Sequence, residues 1–226
     1  IGVDSLVLLD DNPVERAQVR EALPAIAVPE LPDDPALIPS TLLAAGYFET
    51  ISLSNEDRIR TSDYAARAQR IELQGKTRDL GAFLDSLEME IAFSSFDPLG
   101  RSRIAQLINK SNQFNLTTRR YTEPQVKAME DDPSMFTLQV RLKDQFGDNG
   151  MISVVICTVS DGVWDIDTWV MSCRVLGRKV EEAVLNELVH HAKSAGAVHL
   201  YGLYIPTDRN SLVKDNYNKL GFTEED

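Results

Sequence analysis

The residues best suited to chemistry lie between Trp169 and Lys179, where a thiol is followed by three cations. Cys173 follows an apolar stretch that predicts a β-strand, and a long amphipathic helix is predicted from about Gly177 to Ala195. The free amides and the positive dipole end of such a helix favour phosphate. We therefore predict a phosphate-binding loop formed by Arg174, Val175, Leu176, Gly177, Arg178 and Lys179. The alternative is a loop whose charges are simply solvated.

Cys173 is the candidate nucleophile of this loop. Arg174 and the start of the helix would favour its thiolate, which can hold an acyl group as a thioester. Cysteine is also a common core residue. That is the alternative for Cys173, and it is the preferred interpretation for Cys157, which lies within an apolar stretch.

A pair of carboxylates, Asp10 and Asp11, follows the first apolar stretch of the chain. Carboxylates at the carboxyl end of a strand supply the oxygen ligands that Mg²⁺ prefers. We predict a metal site at this pair, and the alternative is a helix cap, because Asn12 and Pro13 are typical of a helix start.

The elements that position these residues predict an α/β fold. A buried strand at Ser5–Leu9, a helix after Pro13 and an edge strand at Ala25–Val28 form the first part, and a helix follows over residues 54–74. Gly75 and Lys76 break the pattern, so we place domains at 1–74 and 75–226. The second domain is predicted to contain helices at Thr77–Leu87, Gly100–Lys110, Pro124–Met129 and Asn210–Leu220, and strands at Glu90–Ser94, Phe136–Lys143, Gly150–Ser160, Val163–Ser172 and Val198–Ile205.

Composition excludes several classes of protein. The chain has 23 Lys and Arg against 35 Asp and Glu, a net charge of −12, which disfavours nucleic-acid binding. Its uncharged stretches are shorter than the about 18 residues that a membrane span needs. Two cysteines are too few for a disulfide framework, and we expect a cytoplasmic protein.

The predicted phosphate-binding loop is followed in the sequence by a second motif. Arg174-x-x-Gly177 is followed by Asn210 and by Tyr217-x-x-x-Gly221-Phe222. In this order and separation the sequence resembles the GCN5-related N-acetyltransferase (GNAT) fold. The resemblance implies that the loop and Asn210 bind coenzyme A or a phosphopantetheine arm, on a strand that lines the thioester. It also implies that Tyr217 protonates a departing thiolate, with core packing as the alternative. Lys179 departs from the pattern, which has a small residue there.

A polar stretch supplies the substrate-side candidates. Asn112, Gln113 and Asn115 carry amides, which suit a neutral polyol such as glycerate, and their alternative is a hydrogen-bonded loop. Asp144, Gly147 and Asp148 are interpreted first as turn residues.

The combination resembles one family more specifically. Asp10-Asp11-Asn12-Pro13 looks like the fourth motif of haloacid-dehalogenase (HAD) phosphatases, and residues 109–118, 146–150 and 173–177 complete a likeness to FkbH-like proteins. The resemblance implies transfer of a glyceryl unit from 1,3-bisphosphoglycerate, a small phosphorylated three-carbon substrate, to an acyl carrier protein in polyketide or mixed peptide–polyketide assembly. Mg²⁺ would belong only to a complete HAD domain.

The HAD nucleophile motif Asp-x-Asp is absent from any strand end, so phosphatase activity is not expected. The expected fold is a remnant of a HAD-like parallel sheet with a helical linker, then a GNAT-like mixed β-sheet with flanking helices. The expected function is that of the C-terminal portion of an FkbH-like glyceryl transferase. The alternatives are an acetyl-CoA-dependent N-acetyltransferase and a non-catalytic carrier-docking module.

Overall fold

The computed structural model describes residues 6–48, 66 and 68–225. The chain divides into two compact units, Ile1–Arg60 and Thr61–Asp226. Most of the helix predicted over residues 54–74 lies outside the described residues. The described end of that helix runs over 68–76 and continues through Gly75 and Lys76, where the sequence predicted a break. The division between the units therefore falls earlier than the predicted boundary after residue 74.

Unit 1 contains helix α1 (Pro13–Ala22), a 3₁₀ turn (Pro35–Leu37) and helix α2 (Ile38–Ala44). Asn12 caps α1 as predicted, accepting a hydrogen bond from the Val14 amide at 3.0 Å. Val7 and Ala27 form a parallel bridge. The buried strand predicted at Ser5–Leu9 is wrong for its described part, because pairing is limited to that bridge and Leu6 and Leu9 are 44% and 42% exposed.

Unit 2 is built on a five-stranded mixed sheet with flanking helices. The helices are α3 (Leu80–Ser86), α4 (Arg101–Lys110), α5 (Glu123–Glu130), α6 (Val180–Ser194) and α7 (Asn216–Lys219). The strands are β1 (Glu90–Ser94), β2 (Met135–Asp144), β3 (Gly147–Ser160), β4 (Val163–Met171) and β5 (His199–Gly202). The mixed sheet predicted for this half is thereby confirmed.

The strands lie in sequence order, β1-β2-β3-β4-β5. All neighbouring pairs are antiparallel except β4 and β5, which are parallel because α6 connects them. The predicted hairpin between β3 and β4 is confirmed. Asp161 and Gly162 both have positive φ, 43° and 80°, which is the backbone of a tight two-residue turn.

Both faces of the sheet are buried. On one face α6 contributes Val180, Val184 and Leu188, each no more than 1% exposed, and Tyr217 of α7 joins the same cluster. On the other face Ile104 and Ile108 of α4 are fully buried against β3 and β4. The sheet is thus fixed from both sides where β4 leads into the loop before α6.

Two predicted elements near the carboxyl end are shorter than expected. The helix predicted at Asn210–Leu220 is a 3₁₀ turn, Ser211–Val213, followed by the single turn α7. The strand predicted at Val198–Ile205 is paired to β4 only over His199–Gly202. Beyond Gly202 the backbone leaves β4, and this parting shapes the candidate site.

Candidate functional site

Strands β4 and β5 part because β4 carries a bulge. Cys157 lies opposite Ile166 and Ile156 opposite Thr168, so Asp167 is an extra residue on β4. A bulge bends and twists its strand. Pairing of β4 with β5 ends at Ile166, immediately before the bulge.

A segment from another part of the chain fills the space between the parted strands. We call Phe114–Leu116 the inserted segment. The Leu116 amide donates to the Trp169 carbonyl at 3.3 Å, and the Met171 amide donates to the Phe114 carbonyl at 3.1 Å. The Ile205 amide then donates to the Leu116 carbonyl at 2.8 Å. The edge of β4 that the GNAT resemblance assigns to the thioester is therefore already hydrogen-bonded.

The bulge residue also anchors the chain that follows the inserted segment. The Thr117 hydroxyl donates to the Asp167 carbonyl at 2.8 Å, and the Tyr121 hydroxyl donates to the Asp167 carboxylate at 2.7 Å. Arg119 forms an ion pair with the same carboxylate. Nothing in the sequence pattern marks Asp167 for this role, because it lies within an ordinary-looking strand.

Asn210 holds the inserted segment to the chain beyond β5. It is fully buried, and its Nδ2 donates to the carbonyls of Asn115 and Ile205, both at 2.9 Å. Its Oδ1 accepts from the Thr207 amide at 2.7 Å. The side chain is committed to backbone groups in this conformation, and the predicted role of Asn210 in binding a cofactor stays a prediction.

Two buried donors beside the parted strands have no hydrogen-bond partner among the described residues, Trp169 Nε1 and Tyr217 Oη. The centres of their rings lie 6.4 Å apart. Burial raises the pKa of Tyr217, and the nearby Cys157 thiol raises it further. The phenol is therefore neutral, and it lies over Gly202, where a Cβ would overlap its ring. Tyr217 is both a core residue and an unpaired proton donor.

The predicted nucleophile lies at the rim of the sheet. Strand β4 ends at Met171, and Cys173 begins a 3₁₀ turn that Ser172 caps through the Arg174 amide. Cys173 is exposed, whereas Cys157 is fully buried as predicted. The alternative of a core role therefore fails for Cys173.

We call Cys173–Lys179 the rim loop. Gly177 has a φ of 77° and a Cβ there would meet nothing, so its backbone faces open space. The amides of Gly177 and Lys179 donate to no described residue. Val175 is buried and Leu176 is half-buried. Exposed, unpaired amides before a 15-residue helix retain the geometry that favours an anion.

The three cations of the rim loop differ in what they contact. Arg178 is buried and its Nη1 donates to the Asp144 carboxylate at 3.0 Å, and its predicted part in binding phosphate stays a prediction. Lys179 adopts a left-handed backbone with a φ of 58°, and its ammonium lies 3.5 Å from Glu182. Arg174 is exposed and its Nε donates to the Ser172 hydroxyl at 3.3 Å.

Asp144 joins the rim loop to distant parts of unit 2. Its side chain is fully enclosed and accepts two hydrogen bonds of 2.8 Å from Arg70, besides the one from Arg178. Asn149 and the Phe146 amide also donate to it, at 3.1 and 2.9 Å. Burial by itself raises the pKa of Asp144, but these hydrogen bonds outweigh burial and lower it. The first interpretation of Asp144 as a turn residue missed this cluster.

The three substrate-side candidates lie on the loop that follows α4. Asn112 accepts from Arg120 Nη2 at 2.7 Å, and Gln113 is exposed. Asn115 is fully buried, and its Oδ1 accepts from the Thr118 amide at 2.8 Å. The hydrogen-bonded loop, which was the alternative, describes Asn112 and Asn115; Gln113 stays a prediction.

Within the described part of the chain no three His, Cys, Asp or Glu side chains group as a metal site. The Asp10 carboxylate accepts from the Asn12 amide at 2.8 Å. Arg16, which is buried, donates to the Asp10 and Asp11 carbonyls and pairs with Glu30 at 2.7 Å. A cation thus already lies beside the predicted magnesium ligands, which remain a prediction.

The rim loop and the β4 edge differ in how well they suit binding of coenzyme A or a phosphopantetheine arm. The unpaired amides around Gly177 suit a phosphate. The edge of β4 does not suit the arm, because the inserted segment uses the Trp169 carbonyl and the Met171 amide. An extended arm with amide groups needs such backbone partners. The loop therefore fits the phosphate end, and the arm does not fit between the strands in this conformation.

Comparison with solved structures returns N-acetyltransferases. The ribosomal-protein-S18-alanine N-acetyltransferase from Escherichia coli is 14% identical over 61% of this chain and 80% of that chain, with a TM-score of 0.47. A spermidine N-acetyltransferase from Vibrio cholerae, in complex with CoA and spermine, is 14% identical over 60% and 82%, with a TM-score of 0.48. The aminoglycoside 6'-N-acetyltransferase AAC(6')-Ih from Acinetobacter baumannii is 9% identical over 60% and 92%, with a TM-score of 0.46.

No protein-family model matches the chain, and no curated protein matches it. At these identities and TM-scores the matches carry no argument about activity. All three structures are of N-acetyltransferases. The HAD-like and FkbH-like parts of the interpretation have no support from these comparisons. Among the described residues, no helix combines the length and apolarity that crossing a membrane requires.

Proposed function

We propose that unit 2 is an acyltransferase domain that takes its acyl group from a thioester. The observation that carries the proposal is the arrangement at the rim of β4. An exposed thiol at Cys173 adjoins a loop whose free amides suit a phosphate, next to strands that part beside the buried phenol of Tyr217. Coenzyme A and the phosphopantetheine arm of a carrier protein share the phosphate and thioester chemistry that this arrangement suits.

Acetyl-CoA-dependent N-acetylation is the first candidate, because the structural neighbours are named for it. In that reaction an amine nitrogen would attack the acetyl carbon and give up a proton to water, the bond to the coenzyme A sulfur would break, and the departing thiolate would take a proton. Tyr217 is the candidate donor of that proton, since its phenol is neutral and has no hydrogen-bond partner among the described residues. For the arm to reach Tyr217, the inserted segment has to leave β4.

Glyceryl transfer through Cys173 is the second candidate, and the exposure of that thiol favours it. Cys173 Sγ attacks the acyl carbon of the incoming thioester, its bond to the donor sulfur breaks, and the donor thiol takes up the proton that Cys173 released. A second exchange passes the acyl group to the thiol of an acyl carrier protein. This route needs no displacement of the inserted segment, because Cys173 lies beyond its last hydrogen bond to β4, at Met171.

The test is intact mass spectrometry of the chain after incubation with a glyceryl thioester of N-acetylcysteamine, for the native protein and Cys173→Ser. A glyceryl adduct that is lost in the variant supports the covalent route, since buried Cys157 does not compete. In parallel, amine acetylation with acetyl-CoA is measured with spermine as acceptor. Acetylation that survives Cys173→Ser supports the first candidate. Absence of adduct and of acetylation would reject the proposed acyltransferase activity.

A further inference from the structure

We propose that Arg70 and Asp144 are positioning residues for the rim loop. The Arg70 guanidinium binds the enclosed Asp144 carboxylate. This carboxylate binds Arg178, which in turn fixes the backbone next to Cys173. The proposal deepens the proposed function and rests on it for its kinetic consequence. Arg70 lies 74 residues before Asp144 in the sequence.

The first contact is a two-pronged ion pair. Arg70 Nε donates to Asp144 Oδ2 and Arg70 Nη2 donates to Oδ1, both at 2.8 Å. The guanidinium also lies over the Phe146 ring, 5.7 Å from its centre. Because the fork of an arginine matches both oxygens of a carboxylate, the pair fixes the orientation of Asp144 and not just its charge.

The second contact carries that orientation to the rim loop. Arg178 Nη1 donates to Asp144 Oδ2 at 3.0 Å, and its Nη2 donates to the Arg174 carbonyl at 3.0 Å. Arg174 directly follows Cys173. A guanidinium held at one end by Asp144 and bonded at the other to Arg174 limits how far the peptide beside the thiol can move.

These contacts matter energetically because the side chains that form them are buried. The Asp144 side chain is fully enclosed, and those of Arg70 and Arg178 are 11% and 9% exposed. Removing Arg70 takes away the two hydrogen bonds that fix the Asp144 carboxylate and leaves Arg178 as its remaining buried ion-pair partner. An exposed ion pair in the same helical segment, Lys76 with Glu72, supplies the contrast, because both of its side chains are about two-thirds exposed.

The experiment compares Arg70→Lys, Arg70→Met and the control Lys76→Met in the full chain. Hydrogen exchange is followed at the Val175 and Arg178 amides of the rim loop, which donate to the Ser172 and Val175 carbonyls. We expect both Arg70 variants to raise exchange at these amides roughly tenfold, with β3 unchanged, and Lys76→Met to leave it unchanged. Unchanged exchange in both Arg70 variants would overturn the proposal.

Arg70→Lys keeps the charge and loses the fork, so it remains informative if Arg70→Met does not fold. If Arg70→Lys fails to fold as well, Arg70 is required for the fold itself and the positioning role is rejected. Acylation of Cys173 by the glyceryl thioester supplies the kinetic readout. We expect kcat to fall about tenfold in Arg70→Lys with KM within about twofold, as for a misplaced nucleophile. If the native chain shows no acyl transfer, the proposed function fails, while the exchange data still decide whether Arg70 fixes the rim loop.

Discussion

Along one edge of β4, the backbone groups of the two halves of the strand find their hydrogen-bond partners in different ways. From Val163 to Ile166 the strand pairs in parallel with β5, residue for residue. After the bulge at Asp167, the inserted segment takes the place of β5 and pairs with Trp169 and Met171. Buried backbone amides and carbonyls require partners in both halves. The first half obtains them from a neighbouring strand, and the second from a loop.

The difference lies in what holds each partner in place. Strand β5 is fixed by a regular ladder and by α6, which precedes it. The inserted segment is fixed by Asn210, Thr117 and Arg119 and by the burial of Phe114 and Leu116 in the core. The second half of β4 therefore depends on contacts from distant parts of the chain, and the first half on a regular ladder.

The largest effect is expected from Asn210→Asp. The change keeps the shape of the side chain but removes the Nδ2 donor, leaving the Asn115 and Ile205 carbonyls without it in a fully buried position. We expect the free energy of unfolding to fall by about 2–4 kcal/mol. Urea unfolding followed by the fluorescence of Trp164 and Trp169 measures it.

Asn112→Asp is the matched control for that experiment. Its Oδ1 accepts from Arg120, an interaction that the aspartate keeps, so a change below about 0.5 kcal/mol is expected. Equal losses in the two variants would show that Asn210 has no special part in closing the parted strands.

Gly202→Ala tests the last paired residue before the strands part. A methyl group there would overlap the Tyr217 ring, so either the ring or β5 has to move. We expect a loss of about 1–3 kcal/mol in the free energy of unfolding. Gly75→Ala is the control, because a Cβ at Gly75 meets nothing in its helical segment. A small gain is expected there, and a loss as large as that of Gly202→Ala would contradict the steric explanation.

The regularly paired part of the sheet could be predicted from the sequence. Apolar periodicity and the Asp161-Gly162 turn predicted β2, β3, β4 and their hairpin, because local pattern and sheet burial agree there. The same reasoning placed Cys173 just beyond a strand and left Cys157 in the core. The N-terminal strand failed because an apolar stretch does not reveal what covers it, and Leu6 and Leu9 are exposed.

The side-chain contacts around the parted strands and the rim loop could not be predicted from the sequence. Arg178 and Asn210 belong to motifs that resemble a cofactor site, but their side chains are bound to Asp144 and to backbone carbonyls. Asp144 lies 34 residues from Arg178, and Asn115 lies 95 residues from Asn210. Periodicity carries no information about such contacts, and neither does the identity of a polar residue, since the same groups bind a ligand or the protein itself.

Thr117→Val is expected to loosen the inserted segment without emptying the core. The variant keeps the shape of the side chain and loses the hydrogen bond to the Asp167 carbonyl, at a cost of about 1 kcal/mol. If coenzyme A enters only after the inserted segment leaves β4, that cost no longer opposes binding. The affinity for coenzyme A should then rise about fivefold, measured by calorimetry. Thr77→Val, which loses a hydrogen bond to the Gln74 carbonyl elsewhere in unit 2, should leave the affinity unchanged. A fivefold gain in both variants would mean that the gain does not come from opening β4.

Tyr217→Phe is expected to change stability least. The phenol has no partner among the described residues, so its removal should alter the free energy of unfolding by less than about 0.5 kcal/mol at pH 7. Tyr204→Phe is the matched control, and it should cost more, because its hydroxyl donates to Asn210 Oδ1 at 3.3 Å. The pH dependence separates them further. Burial raises the pKa of Tyr217, so above about pH 10 the unfolded chain loses this proton first and native stability falls with rising pH. Tyr217→Phe should flatten that fall in alkaline urea unfolding. An unchanged alkaline slope would mean that the phenol becomes solvated at the parted strands, which would remove the reason for treating the second half of β4 as closed.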